Sequence, residues 1–261
     1  MQFKRKVIAL GSRLRQCRNV ATLGVRTNFN EYPPREQAEI RKADIVYYPS
    51  TFYADLFDSI GKQTFPSYHT YKCAQDKIKQ TALFELLGIP HPRTRVFYGK
   101  RQKQTILQYF GFPFIAKIAR GSACGRGVYL IRDQEGLDQY TDRNPVAYIQ
   151  DYLPIDRDLR IVVIGQRIVH AYWRVAAEAD FRCNLSMGAS VCLDPVPETA
   201  LALAAYTARA CGWDDVGIDI CRSNGEFYVL EANMKYGREG FRIAGIDYCR
   251  LMEAMIERRE I

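Results

Sequence analysis

Three oxygen-bearing side chains stand close together near the C-terminal end of the sequence: Asp219 in Gly217-Ile218-Asp219-Ile220, and Glu231 and Asn233 in Val229-Leu230-Glu231-Ala232-Asn233. Both segments read as strands of one hairpin, joined by the turn Ser223-Asn224-Gly225. Side chains alternate across a strand, so Glu231 and Asn233 share a face that Asp219 on the neighbouring strand can reach. Two carboxylates and an amide oxygen are hard donors suited to magnesium, which one or two carboxylates usually hold together with substrate phosphates. Solvent-facing polar positions of a half-exposed hairpin would read similarly. Both strands are otherwise apolar, however, and a carboxylate set among Val, Leu and Ala is costly to bury without a cation or donor.

A second constellation is Phe114-Ile115-Ala116-Lys117 followed by the loop Gly121-Ser122-Ala123-Cys124-Gly125-Arg126-Gly127. A glycine-rich loop lets backbone N–H groups approach phosphate oxygens, and a lysine closing the strand adds a point charge. A plain hairpin loop has the same composition. No Gly-Lys-Ser/Thr follows, and no Gly-x-Gly-x-x-Gly opens a helix after the first strand, so neither a Walker A loop nor a dinucleotide fingerprint is present. A third constellation is Asp180-Phe181-Arg182-Cys183-Asn184, downstream of Arg174. Two guanidinium groups and an amide suit a phosphate whose charge is being redistributed.

Periodicity places these residues on elements. Strands over 7–10 and 44–49 flank an apolar stretch at 19–25 and a helix opened by Pro33-Pro34 and running through Arg41, which suggests a small parallel α/β layer. A helix over 76–87 ends at Gly88, a strand follows at 94–98, and another helix lies near 103–110. Strands then dominate, at 112–119, 127–131, 146–152, 158–164 and 168–175, the last two joined by Gly165-Gln166-Arg167. An alanine-rich helix over 198–211 precedes the hairpin at 216–232, and a C-terminal helix spans about 247–259.

The 261 residues suffice for one large α/β unit or for two to three subdomains. A charged fraction of 25% excludes a disordered chain, and no apolar run reaches the roughly 18 residues of a membrane span. Eight scattered cysteines without a Cys-x-x-Cys pair read as reduced thiols, and with no signal-peptide core at the start the expected compartment is the cytosol. Three widely separated histidines offer no metal or nucleophile spacing. The net charge of +8 suits an anionic partner. No long basic tract supports nucleic acid, so a small anionic or acidic substrate is the expected partner, with neither nucleic acid nor membrane.

In this order and spacing, Asp76-Lys77, Ile115-Ala116-Lys117, the Gly121–Gly127 loop, Gln150-Asp151-Tyr152-Leu153, Asp158-Leu159-Arg160, Asp180–Asn184, Gly217-Ile218-Asp219 and Leu230-Glu231-Ala232-Asn233 resemble the ATP-grasp superfamily. Within it they resemble the RimK-type amino-acid ligases, over about residues 71–250. The resemblance implies an α/β (α+β) ATP-grasp fold with a short N-terminal parallel layer. The expected divisions are 1–70, a first ATP-grasp subdomain at 71–148 and a second at 149–261. It implies that Lys77 and Lys117 reach ATP phosphates. Gln150, Asp151, Tyr152 and Leu153 would form the hinge that reads adenine, with Asp158 on the nucleotide side. Arg174, Arg182 and Asn184 would stabilise phosphate and acyl phosphate. Asp219, Glu231 and Asn233 would be metal ligands, serving two Mg²⁺ ions or Mn²⁺ in their place. The implied reaction is ATP-dependent ligation of a carboxylate to an amine through an acyl phosphate, adding a glutamate-like amino acid to a peptide, protein or small amine. The alternative is an ATP-binding regulatory module without turnover. Oligomeric state stays open; relatives often form dimers or tetramers.

The chain departs from the family pattern after Asn233, where Met234-Lys235-Tyr236-Gly237-Arg238-Glu239-Gly240 is bulkier and more basic, and after Asn184, where Leu185-Ser186-Met187-Gly188-Ala189 lacks the usual basic residues and Gly-Gly pair. Lys235, Arg238 and Arg242 are either anchors for an acidic substrate or a solvated face.

Overall fold

The computed structural model describes residues 7–121, 127–177 and 182–261. Asp180, Phe181 and residues 122–126 of the glycine-rich loop lie outside that set.

The N-terminal layer runs β1 (Val7–Ala9), β2 (Val20–Thr22), α1 (Pro34–Lys42), β3 (Ile45–Tyr47), α2 (Ser50–Ser59), β4 (Gln63–Phe65) and α3 (Tyr68–Lys72). Its four strands are parallel in the order β2-β1-β3-β4. The layer is therefore larger than strand–helix–strand. Sequence reading passed over β4 because it is three residues long with only Phe65 buried. It passed over α2, although Tyr53, Ala54 and Phe57 recur there at helical spacing and are buried.

The helix α4 (Lys77–Leu87) starts where Asp76 caps it, its carboxylate accepting from Lys79 N, and stops at Gly88 with φ 63°. Its buried face carries Lys77, Gln80, Thr81 and Phe84. Next come β5 (Thr94–Tyr98), α5 (Gly99–Lys103), α6 (Ile106–Tyr109), β6 (Phe114–Lys117), β7 (Val128–Ile131), α7 (Gln134–Arg143) and β8 (Val146–Asp151). These strands form an antiparallel sheet ordered β5-β8-β6-β7, with an apolar core that includes Phe97, Ile106, Phe114, Leu137 and Ile149. The single helix expected near 103–110 is two short ones. Thr105 lies between them and its hydroxyl donates to Gln102 O, a local bond that competes with helix continuation. Strand β6 begins only after Pro113, which has no N–H to give a ladder.

The third sheet contains β9 (Arg157–Ile164), β10 (Arg167–Val175), β11 (Ser190–Cys192), β12 (Asp215–Ser223) and β13 (Glu226–Asn233), ordered β11-β10-β9-β12-β13 and antiparallel throughout. Between β11 and β12 lies α8 (Glu198–Ala210), while α9 (Glu239–Ile243) and α10 (Tyr248–Glu257) close the chain. The β12–β13 turn holds Asn224 at φ 50° and Gly225 at φ 88°, as a two-residue hairpin turn with both φ positive requires. Alternation splits the sheet. Leu159, Ile161, Val163, Val216, Ile218 and Ile220 belong to the core that also contains Ala200, Ala204 and Ala208 of α8, with Phe84 of α4. Val162 and Ile164 belong to a second core with the N-terminal layer and α10. Tyr48 and Tyr236 hydroxyls donate to buried Asp215 at 2.7 and 2.6 Å, and Arg13 donates to Tyr248 Oη and Tyr236 O. These bonds tie the N-terminal layer to the chain just beyond Asn233. Among the described residues, no helix is long and apolar enough to cross a membrane.

Candidate active site

The antiparallel sheets meet where β8 leaves one and β9 enters the other. A cleft opens there, lined by twelve of the thirteen residues singled out from sequence: Lys77, Lys117, Gln150, Asp151, Tyr152, Leu153, Asp158, Arg174, Arg182, Asn184, Asp219 and Glu231. Asn233 lies just outside, on a smaller adjoining cavity that it shares with Gln75, Lys77, Glu231 and Lys235. It joins the cleft residues through its amide, which donates to Asp219 Oδ2 at 3.0 Å. Pro92, Ile115, Val128, Ile155 and Leu230 supply apolar walls.

Two cations are delivered by different elements. Lys77, in the first turn of α4, is 6% exposed, and its Nζ stands 3.3 Å from Glu231 Oε2. Lys117 ends β6 opposite Val128 and Tyr148 and is 7% exposed. Burial pulls its ammonium down to about 8; Glu231 opposes that shift and Lys77 adds to it. Gln80, which sequence reasoning missed, fixes the geometry between α4 and β13. Its side-chain amide donates to Ala232 O at 2.8 Å and accepts from Ala232 N at 2.9 Å. A buried glutamine one turn beyond Lys77 was the available signal.

The carboxylates sit in a dense ionic network. In the β12–β13 ladder, Asp219 faces Glu231 and Gly217 faces Asn233. Arg160, opposite Asp219 on β9, donates to both Asp219 oxygens, at 2.5 and 3.0 Å. Arg174 Nη2 also reaches Asp219 Oδ2 at 3.0 Å, and Arg174 grips Asp158 through two bonds of 2.7 and 2.6 Å. Burial disfavours the ionised Asp219, yet Arg160 and Arg174 outweigh it and hold this carboxyl below its ordinary range. For Asp158 burial prevails over Arg174 and pushes the carboxyl up to about 6. Arg160 was quoted in the sequence only as part of a motif; its partnership with Asp219 spans 59 residues and follows from the β9–β12 register. Gly217 leaves room for it, since a Cβ there would stand 2.9 Å from Arg160 Cδ and 3.0 Å from Tyr236 Cβ.

The donor set suits magnesium by its chemistry: two carboxylates and an amide, on facing strands of one hairpin, next to two lysines. Among the described residues no three His, Cys, Asp or Glu side chains form a closed metal cage. A site of this kind is completed by phosphate oxygens and water. The basic segment after Asn233 divides. Lys235 is exposed beside the smaller cavity, Arg238 donates to Arg13 O and lies 4.0 Å from the Tyr248 ring centroid, and Arg242 pairs with Glu239 on the surface. Arg238 and Arg242 are thus held apart, Arg238 by Arg13 O and the Tyr248 ring and Arg242 by Glu239.

Comparison with known proteins agrees with this geometry. Residues 74–256 match the RimK-like ATP-grasp domain family. A "Ribosomal protein bS6--L-glutamate ligase" of Escherichia fergusonii is 28% identical over 220 residues, covering 80% of this chain and 73% of the relative. A "Probable alpha-L-glutamate ligase" of Parasynechococcus marenigrum is 31% identical over 211 residues, covering 78% of this chain and 45% of the relative. Among solved structures, a RimK domain ATP-grasp protein of Sphaerobacter thermophilus superposes with a TM-score of 0.71 at 16% identity, covering 95% of this chain and 98% of that one. The D-alanine–D-alanine ligase of Bacillus anthracis, complexed with ATP, gives 0.70 at 15% identity, covering 97% and 96%. The chain belongs to the RimK-like ATP-grasp family.

Proposed function

We propose that this enzyme, an ATP-dependent carboxylate–amine ligase, joins glutamate to a polypeptide through an acyl phosphate. The observation that carries the reading is the convergence of Lys77, Lys117, Arg182, Asn184, Asp219 and Glu231 on one cleft between two antiparallel sheets. Relatives named for glutamate ligation, one onto ribosomal protein bS6, support the substrate pair.

The residues divide the work by position. Ile115, Val128, Ile155 and Leu230 offer flat apolar walls for an adenine ring, and the backbone of 150–153 runs alongside them to read its edge. Lys77 and Lys117 place positive charge in a buried setting where it acts strongly on phosphate oxygens. Arg182 offsets the charge on the oxygens of the phosphoryl group as it passes to the substrate carboxylate, and the Asn184 amide donates a hydrogen bond to them. Arg174, held by Asp158 and Asp219, is a preoriented charge that needs no rearrangement during the reaction. Asp219, Glu231 and Asn233 would hold two magnesium ions, with manganese as substitute, supplying Lewis-acid neutralisation at the phosphates. The amine nitrogen then attacks the acyl carbon, the bond between that carbon and the phosphate-bearing oxygen breaks, and phosphate leaves with this oxygen and the electron pair while the nitrogen gives up its proton to solvent. The chain needs no covalent nucleophile, since positioning and charge neutralisation suffice. A cytosolic setting is supported by the seven described cysteines, all free.

The test is ADP release from purified protein with Mg²⁺, ATP and pairs of amino acids and peptides. Release that depends on glutamate together with a peptide is expected. ATP binding without release for any pair would make the chain a regulatory module, and failure to bind ATP would remove the nucleotide assignment.

Lys117 gives a separate prediction. Its folded value of about 8 lies below the ordinary 10.5, so between these values the unfolded chain holds more protons and stability from this group rises with pH. At pH 7 the buried ammonium is a cost to the ligand-free fold. Lys117→Met is expected to weaken ATP binding by at least about tenfold, the loss of one charge-assisted contact, while raising the thermal midpoint at pH 7. Nucleotide titration and thermal melts check both; wild-type ATP affinity would contradict the phosphate role.

A further inference from the structure

Two parts of the chain stand outside the chemistry described so far: the N-terminal layer, and the bulky segment 234–239 that follows Asn233. They meet in a closed ring of hydrogen bonds. Arg13, just after β1, donates through Nε to Tyr248 Oη at 3.1 Å and through Nη1 to Tyr236 O at 3.2 Å. Tyr248 Oη lies 3.3 Å from Tyr48 Oη. Tyr48 donates to Asp215 Oδ2 at 2.7 Å, and Tyr236 donates to Asp215 Oδ1 at 2.6 Å. Burial pushes the Tyr48 and Tyr236 phenols well above their ordinary value, so both keep the proton they donate. A carboxylate only accepts, so Tyr48 directs its proton to Asp215, and Tyr248, which accepts from Arg13, gives its own to Tyr48. The ring thus links a buried cation to a buried anion through phenols. The Arg13 guanidinium also lies 4.4 Å from the Tyr236 ring centroid, and Arg238 donates to Arg13 O.

This ring grips both strands of the β12–β13 hairpin. Asp215, Gly217 and Asp219 alternate along β12 and share one face, while Val216, Ile218 and Ile220 face the α8 core. Tyr236 follows shortly after Asn233, and Asn233 pairs with Gly217 across the ladder. Tyr236 folds back over Gly217, since the point a Cβ would occupy there is 3.0 Å from Tyr236 Cβ and 2.9 Å from Arg160 Cδ. Arg160 in turn donates to both oxygens of Asp219. A displaced Tyr236 therefore disturbs Arg160 and Asp219 on one strand and Asn233 on the other. Tyr48 takes a left-handed backbone conformation, φ 44°, which a non-glycine residue adopts only at an energetic cost that its surroundings must offset.

We propose that Arg13, Tyr48 and Tyr236 are positioning residues, through which the N-terminal layer aligns Asp219 and Asn233 for the divalent ion from outside the cleft. The proposal rests on the metal reading given above. It also accounts for the departure from the family pattern after Asn233, because Tyr236 and Arg238 are the residues of that segment that meet Arg13. Partners that orient a metal's ligands govern its affinity nearly as much as the ligands themselves. None of the three touches the nucleotide lysines, which are carried by α4 and β6.

The experiment measures Mn²⁺ binding to the protein loaded with a non-hydrolysable ATP analogue, by electron paramagnetic resonance, with no turnover needed. Wild type is compared with Arg13→Met, Tyr236→Phe and Tyr47→Phe. The Tyr47 hydroxyl donates to Ile261 O at 2.8 Å, so Tyr47→Phe removes a bond of the same kind from the same layer without touching the hairpin. Arg13→Met and Tyr236→Phe are expected to weaken Mn²⁺ binding by at least about tenfold and to leave the metal-free affinity for the analogue unchanged. Tyr47→Phe is expected to keep wild-type Mn²⁺ affinity even where its thermal midpoint falls. Wild-type Mn²⁺ affinity in Tyr236→Phe, or an equal loss in Tyr47→Phe, would overturn the proposal. If Arg13→Met does not fold, Tyr236→Phe decides alone, since it keeps the Arg13 bond to the Tyr236 carbonyl and loses only the donation to Asp215. A wild type that binds no Mn²⁺ overturns the proposal together with the metal assignment. Absent ADP release with Mn²⁺ bound as expected would count against the ligase reading alone.

Discussion

Glu231→Gln is expected to remove ligase turnover and leave the fold standing. Glu231 keeps 21% of its side-chain surface exposed and pairs with Lys77 Nζ at 3.3 Å. Glutamine preserves an oxygen that can accept from Lys77, so neither partner is orphaned. Because Lys77 is nearly buried, losing its charged partner costs about 1–3 kcal/mol, which moves the midpoint of a chain this long by roughly 2–12 °C and leaves the fold intact. The catalytic loss is of another order. Replacing the anionic oxygen by a neutral amide weakens the hold on the divalent ion where phosphoryl charge develops. Removing one preorganised electrostatic element commonly costs about a hundred- to a thousandfold in turnover. Melting curves and ADP release together check the prediction. A variant with normal turnover would contradict the site, and one that unfolds would contradict the reading of Glu231 as a functional rather than a structural acid.

Asp219→Asn should behave differently, although both residues belong to the same proposed metal set. Asp219 is 4% exposed and accepts from Arg160 twice, from Arg174 and from Asn233. Neutralising it leaves two buried guanidinium groups short of a counter-charge, and removing one partner of a buried ionic network costs about 3–5 kcal/mol. The midpoint should fall by roughly 6–20 °C, and turnover should vanish with it. A variant that melts like wild type would show that the arginines do not depend on this carboxylate. The contrast between the two substitutions is informative, since burial and ionic partners distinguish two acids of one proposed metal set.

How much of this was legible in the sequence depended on the range of the interaction. The β12–β13 hairpin could be read because its turn residues and its period-two alternation are local, and Asp219, Glu231 and Asn233 fall on neighbouring positions of the ladder as expected. Helix α4 was legible from its Asp76 cap and its Gly88 stop. Arg160 was not, because its role arises from the pairing of β9 with β12, strands separated by β10, β11 and α8. Gln80 is similar: its partner Ala232 lies 152 residues away. The run Lys235, Arg238 and Arg242 left two readings open in the sequence, an anchor for an acidic substrate or a solvated face. Adjacent in sequence, the three side chains part company because Arg13 and Tyr248 from other elements capture Arg238.

The central claim is that this cleft activates a carboxylate by moving a phosphoryl group onto it. The direct measurement uses glutamate and a peptide acceptor whose carboxylates all carry ¹⁸O, incubated with ATP and Mg²⁺, followed by mass analysis of the phosphate released. The account predicts inorganic phosphate carrying one ¹⁸O for each amide bond formed. Amide product accompanied by unlabelled phosphate would show that no carboxylate oxygen ever bonded to phosphorus, and the account would be wrong.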